Sequence, residues 1–319
     1  IELCRRIVIL CYNKCYKEPK RYTNSLLTGE NYCVELFISI LRKEMFMLER
    51  FLNEGLRGKS ETTIKTYGNA IQQFEKWLDG SGTNLSDYAR SDVQQYIDYL
   101  ASKKKSASTI NKLWNAIKSY SKWAGKREAI EDISVVKVAD IKKQAPKAMS
   151  KPERSKLIRD IDNSKNKRDF AILMTLLMTG IRVSELVALD RLDVVLSDRK
   201  GSLVVRSGKG NKERTLPLNV EARRAIEKYL DERTDSNPAL FISNRKDRIS
   251  IRSVQHLMEK HGHNVHQTRH SFITGLVRAG EDISVIQSLS GHSSADMILR
   301  YSMPSEEDKQ EAVDRLFKD

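Results

Sequence analysis

The stretch "FAILMTLLMTGIRVSEL", residues 170–186, decides how the second half of this chain folds. From Phe170 to Thr179 it is apolar on nearly every side, so a helix here has no solvent face and lies inside a core. Gly180 marks its stop. Directly beyond, Arg182 and Glu185 stand three residues apart on a new helix, a spacing at which the carboxylate can brace the guanidinium. Taken alone, that is an ordinary structural ion pair.

Upstream, "SKPE" announces the start of the same domain, with Ser150 as N-cap, Pro152 in the first turn and Glu153 closing a capping box. Residues 128–149 are charged, interrupted by Pro146 and without sustained period, and read as a linker. Before them, Ser60 opens a helix with Ile64, Tyr67, Ile71, Phe74 and Leu78 on one face, ended by "DGSG". A second helix carries Val93, Tyr96, Ile97 and Leu100, and a third Ile110, Leu113, Ile117 and Tyr120. With a shorter helix from Phe46 to Leu52, residues 45–127 form a small helical bundle.

Downstream, "SLVVRSGKGNKERTLPL" switches to β-rich runs around a Gly-rich turn, a hairpin signal. Helical spacing returns in "NVEARRAIEKYL", "SVQHLMEK", "HQTRHSFITGLVRAG" and "DISVIQSLS". The expected fold is therefore mainly α, an N-terminal helical bundle followed at 150–305 by a mostly α domain with a small antiparallel β-sheet. Residues 306–319 form a tail, amphipathic through Ala312, Val313, Leu316 and Phe317, fit to dock on a neighbouring subunit or on its own domain.

Lys and Arg number 56 against 42 Asp and Glu, a net charge of +14 that favours a polyanionic partner. Lys104, Lys105, Lys112, Lys118 and Lys122 cluster on the polar faces of two bundle helices and are phosphate-contact candidates; Arg206, Lys212 and Arg214 join them around the hairpin. All four cysteines, Cys4, Cys11, Cys15 and Cys33, fall in the first 33 residues, in a spacing that fits neither a zinc knuckle nor a redox motif. Residues 1–44 are expected to be an extension outside the folded unit. No apolar run is long enough to span a bilayer, and a cytoplasmic, nucleoid-associated protein is expected.

Four more motifs carry chemistry. Lys209 sits between two glycines at the hairpin tip, without the G-x4-G-K-[ST] pattern of a phosphate loop. "HQTRHSF" puts His266, Arg269 and His270 in one helical turn ahead of an apolar continuation, and burying an arginine there is costly unless an anion arrives. His292 follows Gly291 in "SGHSS". Tyr301 comes nine residues later.

In that order, Arg182, Lys209, His266 with Arg269, His292 and Tyr301 resemble the tyrosine recombinases, the phage integrase-like family that includes Xer-like recombinases and transposon-encoded resolvases. The resemblance runs from about Met45 to the C-terminus. It implies that Tyr301 attacks a DNA phosphate to give a 3′-phosphotyrosyl link, that Arg182 and Arg269 clamp the phosphate oxygens, and that His266 assists proton transfer. It further implies that Lys209 protonates the leaving 5′-oxygen, that His292 hydrogen-bonds the phosphate, and that Glu185 and His270 support the site. Neither metal nor other cofactor is expected. The implied partners are duplex DNA carrying specific sites and further copies of this chain, as a tetramer on DNA. Two positions depart from the family's usual wording: Thr268 and Ser290 stand where apolar residues are common. A type IB-like topoisomerase would use the same phosphotyrosyl chemistry, and a catalytically idle DNA-binding regulator the same fold; the intact constellation argues against the second. Resolution or integration of a mobile element or replicon is the expected role, and, with residues 1–44 set aside, the expected lack of an arm-binding domain ahead of the bundle leans towards resolution.

Overall fold

The computed structural model describes residues 47–137, 145–206, 213–292, 294–304 and 306–316, apart from the side chains of 306–308, 311 and 312. The cysteine-bearing N-terminal segment, Lys209, Lys212 and Phe317 lie outside them, as does the side chain of Ala312. The chain divides into two compact units, Ile1–Ala139 and Asp140–Asp319.

In the first unit a helical turn runs into the π-helical stretch Phe51–Gly55, followed by α1 (Glu61–Ser81), α2 (Arg90–Ser102) and α3 (Ala107–Trp123). Ser60 and Ser106 cap α1 and α3, each hydroxyl accepting from the backbone N–H three residues on, at 3.3 and 3.2 Å. These bonds satisfy N–H groups the first turn leaves without helical partners. Gly82 ends α1 at φ 82. The expected face residues from Ile71 to Tyr120 are all buried, with Ile64 and Tyr67 packed at the core's edge. Phe74 lies at the centre, its ring 5.3 Å from Tyr88 and 5.1 Å from Tyr96.

The bundle reaches further than the sequence suggests. Ala129 is buried in its core, Ile130, Ile133 and Val135 pack against it, and Gln94 Oε1 accepts from the Ser134 N–H at 2.8 Å. Residues 128–135, expected in the linker, thus belong to the bundle. Their apolar positions are too few to show a period, and only the surface prepared by the three helices gives them cover. At the other end of that linker, Met149 is buried in the second unit, its N–H donating to Ser271 Oγ at 2.8 Å.

The second unit begins with α4 (Lys151–Asn163), whose capping box is formed as read: Ser150 Oγ accepts from the Glu153 N–H and the Glu153 carboxylate from the Ser150 N–H. Next comes α5 (Lys167–Thr179), buried from Ala171 to Leu177. Its two buried hydroxyls stay satisfied because Thr175 and Thr179 donate to the carbonyls four residues earlier, at 2.7 and 2.6 Å. After the short α6 (Val183–Ala188), strands β1 (Val194–Leu196), β2 (Gly201–Val205) and β3 (Arg214–Pro217) form an antiparallel sheet in that order, Leu203 facing Val194 on one side and Leu216 on the other. β1 escaped the sequence reading: three residues long, with Val195 60% exposed, it has no alternation to display.

Five helices follow: α7 (Val220–Asp231), which packs on α5, α8 (Ile251–Lys260), α9 (Val265–Arg278), α10 (Ile283–Ser290) and the one-turn α11 (Asp296–Leu299). A 3-10 turn, Arg300–Ser302, leads to α12 (Glu306–Arg315), which leaves Val313 exposed. The mainly α architecture with a small antiparallel sheet is as expected. Ile273, Ile286, Ile298 and Tyr301 form an apolar cluster of their own, apart from the main core. Among the described residues no helix is long and apolar enough to cross a membrane.

Candidate active site

Two glycines and two arginines organise the site. Gly180 ends α5 at φ 61 and Gly291 ends α10 at φ 66, a left-handed turn that a side chain would strain. The carbonyls at these turns are free of their own helices and accept from the site: Gly180 O from Arg269 Nη1 at 2.7 Å, Gly291 O from Arg182 Nη2 at 3.2 Å. Arg269 also donates to Ser290 O at 2.7 Å. Arg269, only 7% exposed, is thereby held by neutral carbonyls, and the charge of Glu185 offsets its own only from a distance, which disposes it to take an anion. Burial, and next the charge of Arg182, lowers the Arg269 pKa to about 10, so it stays cationic at neutral pH.

Glu185 braces the assembly from beneath. Its carboxylate accepts from the Arg182 N–H and Arg182 Nη1, both at 2.8 Å, and from Arg214 Nη2 and Nη1 at 2.7 and 3.1 Å. Burial acts to raise its pKa, but the Arg214 hydrogen bonds, the Arg182 N–H, the Arg214 charge and the Arg182 side-chain hydrogen bond together hold it below the ordinary value. Here one sequence expectation is corrected. Arg214, expected on DNA, is turned inward onto Glu185 and the carbonyl of Leu289, because the buried carboxylate needs more donors than Arg182 supplies. Arg206, by contrast, is largely exposed while pairing with buried Asp193.

Tyr301 is buried, its hydroxyl 2.9 Å from His270 Nδ1 and its ring 6.3 Å from that of His292. Burial raises the phenol's pKa above its ordinary value, while Arg269 and Arg300 pull it back. His270 and His292 are both pushed down to about 4, by burial first and then by positive neighbours, so both rings are neutral at pH 7. His292 has Ser290 Oγ at 2.9 Å from Nδ1 and Arg269 Nη2 at 3.3 Å from Nε2.

The structure therefore brings together Arg182, Glu185, Arg269, His270, His292 and Tyr301. His266 is exposed on the first turn of α9, its backbone N–H on Asn264 Oδ1, beside a cleft also lined by Lys147, Arg252 and His270. The histidine that meets Tyr301 is the one expected only to support the site. Sequence reasoning missed Arg214 as a brace and Ser290 as a partner of His292; the signal available for the second was its departure from the family's wording. In the bundle, Lys104, Lys105, Lys112 and Lys122 are exposed, and Lys118 lies 5.1 Å over the Trp114 ring. Among the described residues no group of three or more His, Cys, Asp or Glu is placed to hold a metal ion.

Residues 143–308 match the Phage integrase family, and residues 47–131 match the phage integrase N-terminal SAM-like domain. The chain belongs to the tyrosine recombinases of the phage integrase family. This recombinase is 35% identical over 269 residues to tyrosine recombinase XerA of Pyrococcus furiosus, covering 82% of this chain and 90% of that protein. It is 30% identical over 261 residues to the TnP I resolvase of Bacillus thuringiensis, covering 78% and 91%. The recombinase shares its fold with XerH site-specific recombinase bound to difH substrate in a pre-cleavage complex, at a TM-score of 0.62 and 19% identity over 82% of each chain. It is an enzyme of site-specific DNA recombination, cutting and rejoining strands.

Proposed function

We propose that Tyr301 is the nucleophile and that the observation carrying this assignment is its hydroxyl on neutral His270 Nδ1 inside a site rich in arginine. The Tyr301 oxygen attacks the scissile phosphorus as its proton passes to His270. The bond to the 5′-oxygen breaks, and Lys209 supplies that oxygen with a proton, leaving a 3′-phosphotyrosyl link and a free 5′-hydroxyl. The link conserves the bond energy, so rejoining needs no nucleotide triphosphate. Arg182 and Arg269 hold the non-bridging oxygens, where negative charge grows in the transition state. Proximity moves the proton-accepting role from His266 to His270, and His266, exposed beside Lys147 and Arg252, contacts DNA phosphate instead.

The bundle lysines bind the duplex backbone, and the enzyme works as a tetramer pairing two sites, with the exposed Val313 of α12 offered to a neighbouring copy. A relative named a resolvase supports a role in resolving a mobile element or replicon. Trapping on a nicked suicide duplex tests the core of the proposal. A covalent adduct is expected that disappears in Tyr301→Phe and falls further in His270→Gln than in His266→Gln. An adduct that survives Tyr301→Phe moves the nucleophile elsewhere, and relaxation of plasmids without exchange between paired sites replaces recombination with a topoisomerase activity.

A further inference from the structure

Helix α10 ends on Ser290, and the turn at Gly291 brings the His292 ring back against the serine it has just left. Ser290 is fully buried, with Oγ 2.9 Å from His292 Nδ1. Arg269 Nη2 approaches the other ring nitrogen, Nε2, at 3.3 Å. A guanidinium has N–H donors and no acceptor, so Nε2 can only accept from it. In a neutral ring the single proton then resides on Nδ1, and Ser290 Oγ is its acceptor. The groups facing this ring are Arg269 and His270 from α9, Arg182 ahead of α6, Arg214 from β3 and Tyr301 from the 3-10 turn. Burial first, and then the positive charges of Arg269, Arg182 and Arg214, keep the ring neutral.

We infer that Ser290 is a positioning residue that holds His292 in its Nδ1–H form, so that Nε2 faces Arg269 and takes up a proton there, without ring rotation, when a phosphate binds. Resting on the proposed phosphate site, this assigns a task to the departure at position 290. As the side chains stand, Nε2 accepts from Arg269. When a phosphate oxygen takes over the Arg269 donor, Nε2 is released, binds one proton from water and donates to the phosphate. Ser290 accepts from Nδ1–H in both states, so the ring changes charge without changing place. Alanine or leucine at 290 offers no such acceptor and strands a buried Nδ1–H, a larger cost than giving up the long 3.3 Å bond from Arg269, so the proton moves to Nε2.

Nitrogen-15 correlation spectra of the full chain, with His292 assigned by His292→Gln, read the tautomer directly. The wild-type protein and Ser290→Thr are expected in the Nδ1–H form, and Ser290→Ala shifted towards Nε2–H. Ser290→Cys, close in size to serine and a weak acceptor, should follow alanine and guards against a packing defect. On the suicide duplex, loss of the serine should slow adduct formation roughly three- to tenfold, the worth of one neutral hydrogen bond. The acid side of the pH profile should move as well, and threonine should restore both. A wild-type ring in the Nε2–H form, or an unchanged tautomer in Ser290→Ala, overturns the inference. A wild-type protein that forms no adduct, while its His292 tautomer still follows position 290, counts against the nucleophile assignment and leaves the serine's role supported.

Discussion

Charge is treated in opposite ways in the bundle and in the active site. In the bundle, Lys104, Lys105 and Lys112 stand in water around a core of apolar and aromatic side chains. In the second unit Arg269, Arg214 and Glu185 are drawn beneath the surface, where fixed partners replace water. A solvated lysine needs nothing from the rest of the chain. Each buried group needs donors or acceptors from several elements, and losing one strands the others. The bundle should therefore tolerate loss of charge, and the site should not.

The largest effect expected is on Glu185. Its replacement by alanine removes the acceptor shared by Arg182 and Arg214 and should destabilise the protein by about 3–5 kcal/mol in denaturant titration. The pH dependence has a definite sign. Because the folded pKa lies below the ordinary 4.5, the carboxylate's stabilisation is fully present above that pH and is lost as pH falls through the folded value. Unfolding curves that do not weaken below pH 4.5 in the wild type relative to Glu185→Gln would break the contrast between the two regions.

Next is Arg269. Arg269→Ala should slow adduct formation roughly 10²–10³-fold, the scale for removing one donor to developing charge, and single-turnover cleavage checks it. A pair of glycines sharpens the comparison at smaller scale. A Cβ at Gly180 would stand 2.3 Å from Phe272 Cδ1, whereas at Gly82 nothing lies within 4 Å, and both have positive φ. Thermal unfolding should show Gly82→Ala costing about 1–2 kcal/mol, the left-handed strain alone, and Gly180→Ala about 1–3 kcal/mol more for overpacking. Smallest are the lysines: Lys112→Ala should leave stability within about 0.5 kcal/mol and lower the salt slope of DNA binding by about one.

Much of the fold was legible because it rests on local rules. The caps Ser60 and Ser150, the all-round apolar α5 and the three faces of the bundle each follow from spacing within one element. What escaped lacked a period to display: β1, three residues with an exposed centre, and residues 128–135, covered only by helices already formed. The site divides in the same way. The motifs nominated Arg182, Arg269, His292 and Tyr301. But His266 and His270 are four residues apart on one helix, and which of them meets Tyr301 depends on where the Arg300–Ser302 turn lies.

By itself the sequence determined which residues are available: a helical bundle, a second mainly α unit, and a set of arginines, histidines and one tyrosine in a recombinase's order. Only the tertiary structure decided their partners. Arg214, expected on DNA, braces Glu185; Gly180 and Gly291 lend their carbonyls to Arg269 and Arg182; and Ser290 Oγ stands 2.9 Å from His292 Nδ1. The physical reason is that helix and cap propensities act over a few residues. Satisfying a buried charge instead recruits donors and acceptors from segments about a hundred residues apart, Arg182 and Gly291 among them.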